Sequence, residues 1–76
     1  MTIKQNEFIP DMYPYQNTEN DRVVTARMIN APFALETDSG IQYGSSGDYV
    51  VETDGVYAVM CKEVFEPTHK FVHYGE

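Results

Sequence analysis

The run Asp48-Tyr49-Val50-Val51-Glu52-Thr53-Asp54-Gly55-Val56-Tyr57-Ala58-Val59-Met60 decides the fold. Two segments rich in Val and Tyr flank an Asp-Gly pair. Asp-Gly between such segments favours a two-residue type I′ turn, because both central positions need positive φ. A turn of that length fixes the register. Thr53 then faces Val56, Val51 faces Ala58, and Tyr49 faces Met60. Side chains alternate between the faces of a strand, so these six residues share one mostly apolar face, expected to point inward. The opposite face carries Val50 with Val59 and Glu52 with Tyr57, and is too apolar to be fully solvated. A hairpin apolar on both sides belongs in the middle of a small barrel or at an interface.

Moving outward from the hairpin, Arg22 to Ile29 reads as a strand with Val24, Ala26 and Met28 on one face. Asn30-Ala31-Pro32 breaks it, and Phe33 to Thr37 forms a second strand. Asp38-Ser39-Gly40 is a turn, Ile41-Gln42-Tyr43 a brief extended piece, and Gly44-Ser45-Ser46-Gly47 a loop. Beyond the hairpin, Lys62 to Glu66 suits a single helical turn ended by Pro67, with Phe65 as its anchor in the core. His69 to Tyr74 reads as a last short strand, with Phe71 and Val72 on opposite faces.

Residues 1–21 have a different texture. Asn6, Pro10, Asp11, Pro14, Gln16, Asn17, Asn20 and Asp21 interrupt any period, and the prolines hold their neighbours extended. The expectation is an irregular N-terminal arm followed by one small β-rich domain over residues 22–76. The arm nonetheless carries Phe8, Ile9, Met12, Tyr13 and Tyr15, so it should dock, either on its own domain or on a partner. The expected class is therefore mainly β: a small open barrel or twisted antiparallel sheet of four to five strands with one short helical turn.

The chain has 76 residues and a formal net charge of -7, which admits one small domain and excludes large nucleotide-binding folds. The acidic balance argues against direct nucleic-acid binding, which needs clustered Lys and Arg. A lone Cys61 forms no internal disulfide. Neither a membrane span nor a signal-peptide core is evident, so a cytoplasmic protein is expected. Five acids, Glu36, Asp38, Asp48, Glu52 and Asp54, fall where no basic residue intervenes. That run serves solubility, or presents an acidic surface to a basic partner.

Chemical motifs are weak. The Gly44–Gly47 loop lacks the Lys of a phosphate loop and no helix follows it. His69 and His73, even with Cys61, fall short of a four-ligand zinc pattern. Glu52 and Asp54 lie close together, but a carboxylate pair needs a cleft to separate its pKa values. No catalytic residue, metal or cofactor is expected.

Several segments nevertheless match a pattern. Gly47-Asp48-Tyr49-Val50-Val51, Asp54-Gly55-Val56-Tyr57-Ala58-Val59 and Phe65-Glu66-Pro67-Thr68-His69 resemble P-G-D-Y-[LIV]-V, G-x-x-Y-x-[VC] and F-E-x-T-Y of a small domain common in bacteriophage and prophage proteins, with Gly55 one place nearer the Tyr than in that pattern. Val24-Thr25-Ala26-Arg27-Met28 is similar to that family's V-x-A-x-Q strand, and Phe33–Thr37 to its second strand. The likeness spans residues 22–73; Ser46, Met28 and His69 replace the usual Pro, Gln and Tyr. It implies a phage or mobile-element origin and a compact β domain, and carries over no catalytic residues.

Together these readings point to a non-enzymatic phage accessory protein that binds another protein. Tyr13, Tyr15, Glu52, Asp54 and Tyr57 are the candidate contacts, since Tyr is enriched at interface hot spots. Two narrower versions are an acidic inhibitor of a host defence complex that binds nucleic acid, and a small self-assembling virion protein, a homo-oligomer exchanging its arm.

Overall fold

Asp54 and Gly55 both adopt positive φ, 53° and 82°, as a type I′ turn requires. The strands it joins pair Tyr49 with Met60, Val50 with Val59, Val51 with Ala58, Glu52 with Tyr57 and Thr53 with Val56, the register set by turn length. A computed structural model describes residues 1–7 and 9–72 of the chain; Phe8, His73 and Tyr74, placed by the sequence in the arm and the last strand, lie outside the described residues.

The described elements run β1 (Thr2–Lys4), β2 (Tyr13–Asn17), β3 (Val23–Met28), β4 (Phe33–Thr37), β5 (Gly40–Gly44), β6 (Tyr49–Thr53), β7 (Val56–Met60), α1 (Lys62–Thr68) and β8 (His69–Phe71). They form a five-stranded sheet in the order β7-β6-β3-β2-β8 and a three-stranded sheet in the order β1-β4-β5. The larger sheet is antiparallel throughout. In the smaller, β1 runs parallel to β4. The protein is thus mainly β with one short helix, and neither sheet closes into a barrel.

The β6 strand is buried on both sides, and this organises the layers. Tyr49 and Val51 pack with Ala26 and Phe65. Val50 points the other way, onto Ile29, Phe33 and Leu35. The five-stranded sheet therefore carries α1 on one face and the smaller sheet on the other. Among the described residues, Phe65, Ile29, Leu35 and Val50 are the largest fully buried side chains. Gly44 is needed where β5 crosses the Phe33 ring, because a Cβ there would overlap ring carbons.

Residues 1–21 are not an irregular arm. They hold β1 and β2, and β2 is an interior strand between β3 and β8. The polar segment Asn17–Asp21 is the turn that folds β2 back onto β3. There the Asn17 and Asn20 carboxamide oxygens accept from the Glu19 and Arg22 N–H groups, and Asp21 takes φ 59°. Pro14 survives inside the sheet because its position falls at the end of the β2–β8 ladder. Its carbonyl accepts from Val72 N–H, and the donor it lacks is not needed towards β3.

A second correction concerns α1, which continues through Pro67 to Thr68 rather than stopping before the proline. The Thr68 hydroxyl bonds the carbonyls of Val64 and Phe65, at 2.8 and 3.2 Å, satisfying acceptors in the final turn.

Candidate interaction surface

The two arm tyrosines have different environments. Tyr15 lies edge-on to Phe65, Tyr49 and Phe71, with ring centroids 5.1, 6.2 and 5.5 Å away. Its half-buried ring belongs to the aromatic cluster beneath α1. Burial, followed by the nearby Glu66 carboxylate, raises its phenol pKa. The arm therefore docks on its own sheet. Tyr13, two residues earlier on the same face, remains 48% exposed and meets Phe71 edge-on at 5.9 Å.

Glu52 and Asp54 also part company. Glu52 is half-buried, with Oε1 accepting from the Thr25 hydroxyl and Oε2 from the Gly55 N–H, both at 2.7 Å. It pins the hairpin turn to β3. The Thr25 bond, then the Gly55 bond, hold its carboxyl below the usual carboxylate range. A depressed folded pKa stabilises the fold above the unfolded value, and that contribution disappears as pH falls through the folded pKa. Glu52→Gln is expected to cost about 1 kcal/mol at neutral pH and to flatten the acid side of the stability curve. Urea unfolding between neutral and acid pH measures both; an unaltered pH dependence would refute the assignment.

Asp54 is exposed and pairs with Arg22 across 3.5 Å of open surface. Asp48 ties the loop to the helix: its carboxylate accepts from Ser45 N–H at 2.9 Å and from Lys62 N–H at 3.2 Å. Glu36 sits on β4 in register with Lys4 on β1. The acid-only stretch of sequence is therefore no unbroken acidic face. Folding brings Arg22 and Lys4 to it, and two of its acids bond backbone groups.

Tyr57 is half-buried against the Val50 cluster. His69 stacks on Phe65, centroids 4.3 Å apart, and its Nδ1 contacts the Phe65 carbonyl and the Thr68 hydroxyl. Cys61 is exposed at the helix start, and among the described residues no group of three His, Cys, Asp or Glu side chains could hold a metal. Among those residues, no helix is long and apolar enough to cross a membrane.

The sequence reading overlooked β5 as a surface. Ile41 and Tyr43 occupy alternate positions and share its outer face, 55% and 77% exposed. Their alternation was visible, but a three-residue piece gave no basis for choosing the outward face. That choice depends on Gln42, which turns inward and accepts from the Val59 N–H at 2.9 Å. Comparison of the chain with protein-family models, curated proteins and solved structures finds no match to any of them.

Proposed function

We propose that the chain is a non-enzymatic accessory protein that acts by binding another protein, of phage origin as its sequence pattern suggests. The observation that carries this reading is the pair Ile41 and Tyr43, two large apolar side chains presented on one strand face. Exposed apolar area of this kind marks contact surfaces, and Tyr in particular anchors them. Tyr13 is a further contact, on the aromatic end of the larger sheet.

The test is capture from a bacterial host lysate by the immobilised full chain, compared with an Ile41→Ser/Tyr43→Ser variant. Both positions are outward, so the variant keeps the fold, which circular dichroism checks. A partner retained by the parent and lost by the variant supports the reading. Equal capture by both would retire this face as the contact. Light scattering at high micromolar concentration addresses self-assembly, since a monomer would exclude the virion-component version.

The narrower reading, an acidic competitor for a host nucleic-acid-binding complex, draws support from the net charge of -7 and the exposed Asp38 and Asp54. It requires the captured partner to be released by added DNA or RNA.

A further inference from the structure

The β5 and β7 strands are edges of different sheets, and they lie side by side without a ladder between them. One bond bridges them, from Val59 N–H to the Gln42 side chain. In a two-residue hairpin the residues flanking the turn form a hydrogen-bonded pair, and bonded and non-bonded pairs then alternate. Val56, Ala58 and Met60 therefore turn their backbone groups towards β6, whereas Tyr57 and Val59 turn theirs outward. The Gln42 bond agrees with that phase. By the same rule, the Thr37–Gly40 pair directs the backbone groups of Ile41 and Tyr43 away from β4. Among the described residues, the outward N–H and C=O of Tyr57 have no hydrogen-bond partner.

An open edge of this kind is normally guarded by a charge, a proline, a bulge or a very short strand. The other edge of the larger sheet follows the rule: β8 has three residues, including Lys70. By contrast, β7 reads Val-Tyr-Ala-Val-Met and β5 Gly-Ile-Gln-Tyr-Gly, with neither charge nor proline. A groove lined by Thr37, Asp38, Gln42, Val56 and Tyr57 opens where the two strands begin. Asp38 is the one charged side chain among its lining residues. The strands nearest the described ends, β1 and β8, lie at the opposite edges of their sheets from β5 and β7.

We propose that this groove receives an extended, basic segment of the partner protein, which pairs with the edge of β7 at Tyr57. This rests on the protein-binding reading and specifies how binding occurs. Backbone pairing to Tyr57 supplies the attachment, and side-chain alternation and charge supply selectivity. Gln42 holds the place of a strand backbone, offering Val59 the carbonyl that the incoming segment would offer. A Lys or Arg of the segment faces Asp38, and the overall negative charge disfavours acidic segments.

The test uses a randomised peptide library selected on the full-length protein, followed by amide exchange of the labelled protein with each recovered peptide. Recovered sequences should alternate β-branched or aromatic residues and include Lys or Arg. Binding should slow exchange of the Tyr57 amide by about tenfold or more. Asp38→Lys should weaken binding by about two- to fivefold. A Tyr57 amide already protected in the free monomer would overturn the proposal, as would failure to recover any peptide or peptides that leave that amide unchanged. Protection that grows with protein concentration alone would identify a second copy as the occupant and also overturn it. Peptides that bind the Ile41–Tyr43 face without affecting Tyr57 would remove the strand-addition mode while leaving protein binding intact. Tyr57 protection without any variant-sensitive lysate capture would do the reverse.

Discussion

A chain lacking residues 1–21 should show no cooperative unfolding transition. The deletion takes away β1 and, more seriously, β2, which pairs with β3 through Tyr13, Pro14, Tyr15 and Gln16 and with β8 through Tyr15, Gln16 and Asn17. Without it, β8 has no sheet neighbour and β3 becomes an exposed edge. Tyr15 also leaves the ring cluster around Phe65. A chain of this length is marginal even when complete, because small domains bury only about 60% of their unfolded surface. Thermal denaturation followed by circular dichroism, with amide dispersion by NMR, measures the outcome. A truncated chain that still melts cooperatively would contradict the interior placement of β2.

Phe65→Ala should produce the largest loss from a single substitution. Phe65 is 1% exposed, stacks on Tyr49 with centroids 4.2 Å apart, and is covered on its other side by His69. It is the buried side chain by which α1 attaches to the sheet. Truncating a buried Phe costs about 3–5 kcal/mol. A domain of this size has roughly 4–11 kcal/mol in all, at about 0.05–0.15 per residue. The melting temperature should therefore fall by more than about 12 °C, and the Tyr49 and Tyr15 rings should lose their fixed environment in near-ultraviolet circular dichroism. A shift of only a few degrees would mean that α1 is not docked through this residue. The Tyr49 hydroxyl donates to Glu66 Oε2 at 2.7 Å, a second tie between sheet and helix. Burial and that bond raise the Tyr49 pKa. A phenol whose folded pKa is raised makes the fold less stable as pH climbs above its unfolded value, so the alkaline limb should report on the same contact.

The hairpin was legible because its information is local. Asp54-Gly55 specifies a turn by φ alone, and a turn of known length dictates every pair up to Tyr49–Met60. Phe65 was legible as an anchor because an aromatic in a short polar helix has one sensible destination. The β2 strand was not legible. Its sequence, Tyr-Pro-Tyr-Gln-Asn, lacks a β-branched residue and contains a proline, so local preference argues against a strand. It is a strand because β3 and β8 offer ladders on both sides and Phe65 offers a bed for Tyr15. The parallel pairing of β1 with β4 was hidden for a similar reason, since three residues, Thr-Ile-Lys, carry no readable period.

The candidate surface divides along the same line. The sequence determined that the chain is acidic, that aromatics punctuate nearly every segment from the N-terminal stretch to the last strand, and that the hairpin is apolar on both sides. The tertiary structure alone decided what each group is available for. It turned Tyr15 inward and left Tyr13 half exposed, gave Glu52 to Thr25 and Gly55, and set Arg22 against Asp54. It also laid two unguarded strand edges beside each other. The physical reason is that turn geometry and side-chain alternation act over a few residues, whereas exposure, charge pairing and open edges depend on which distant strands become neighbours.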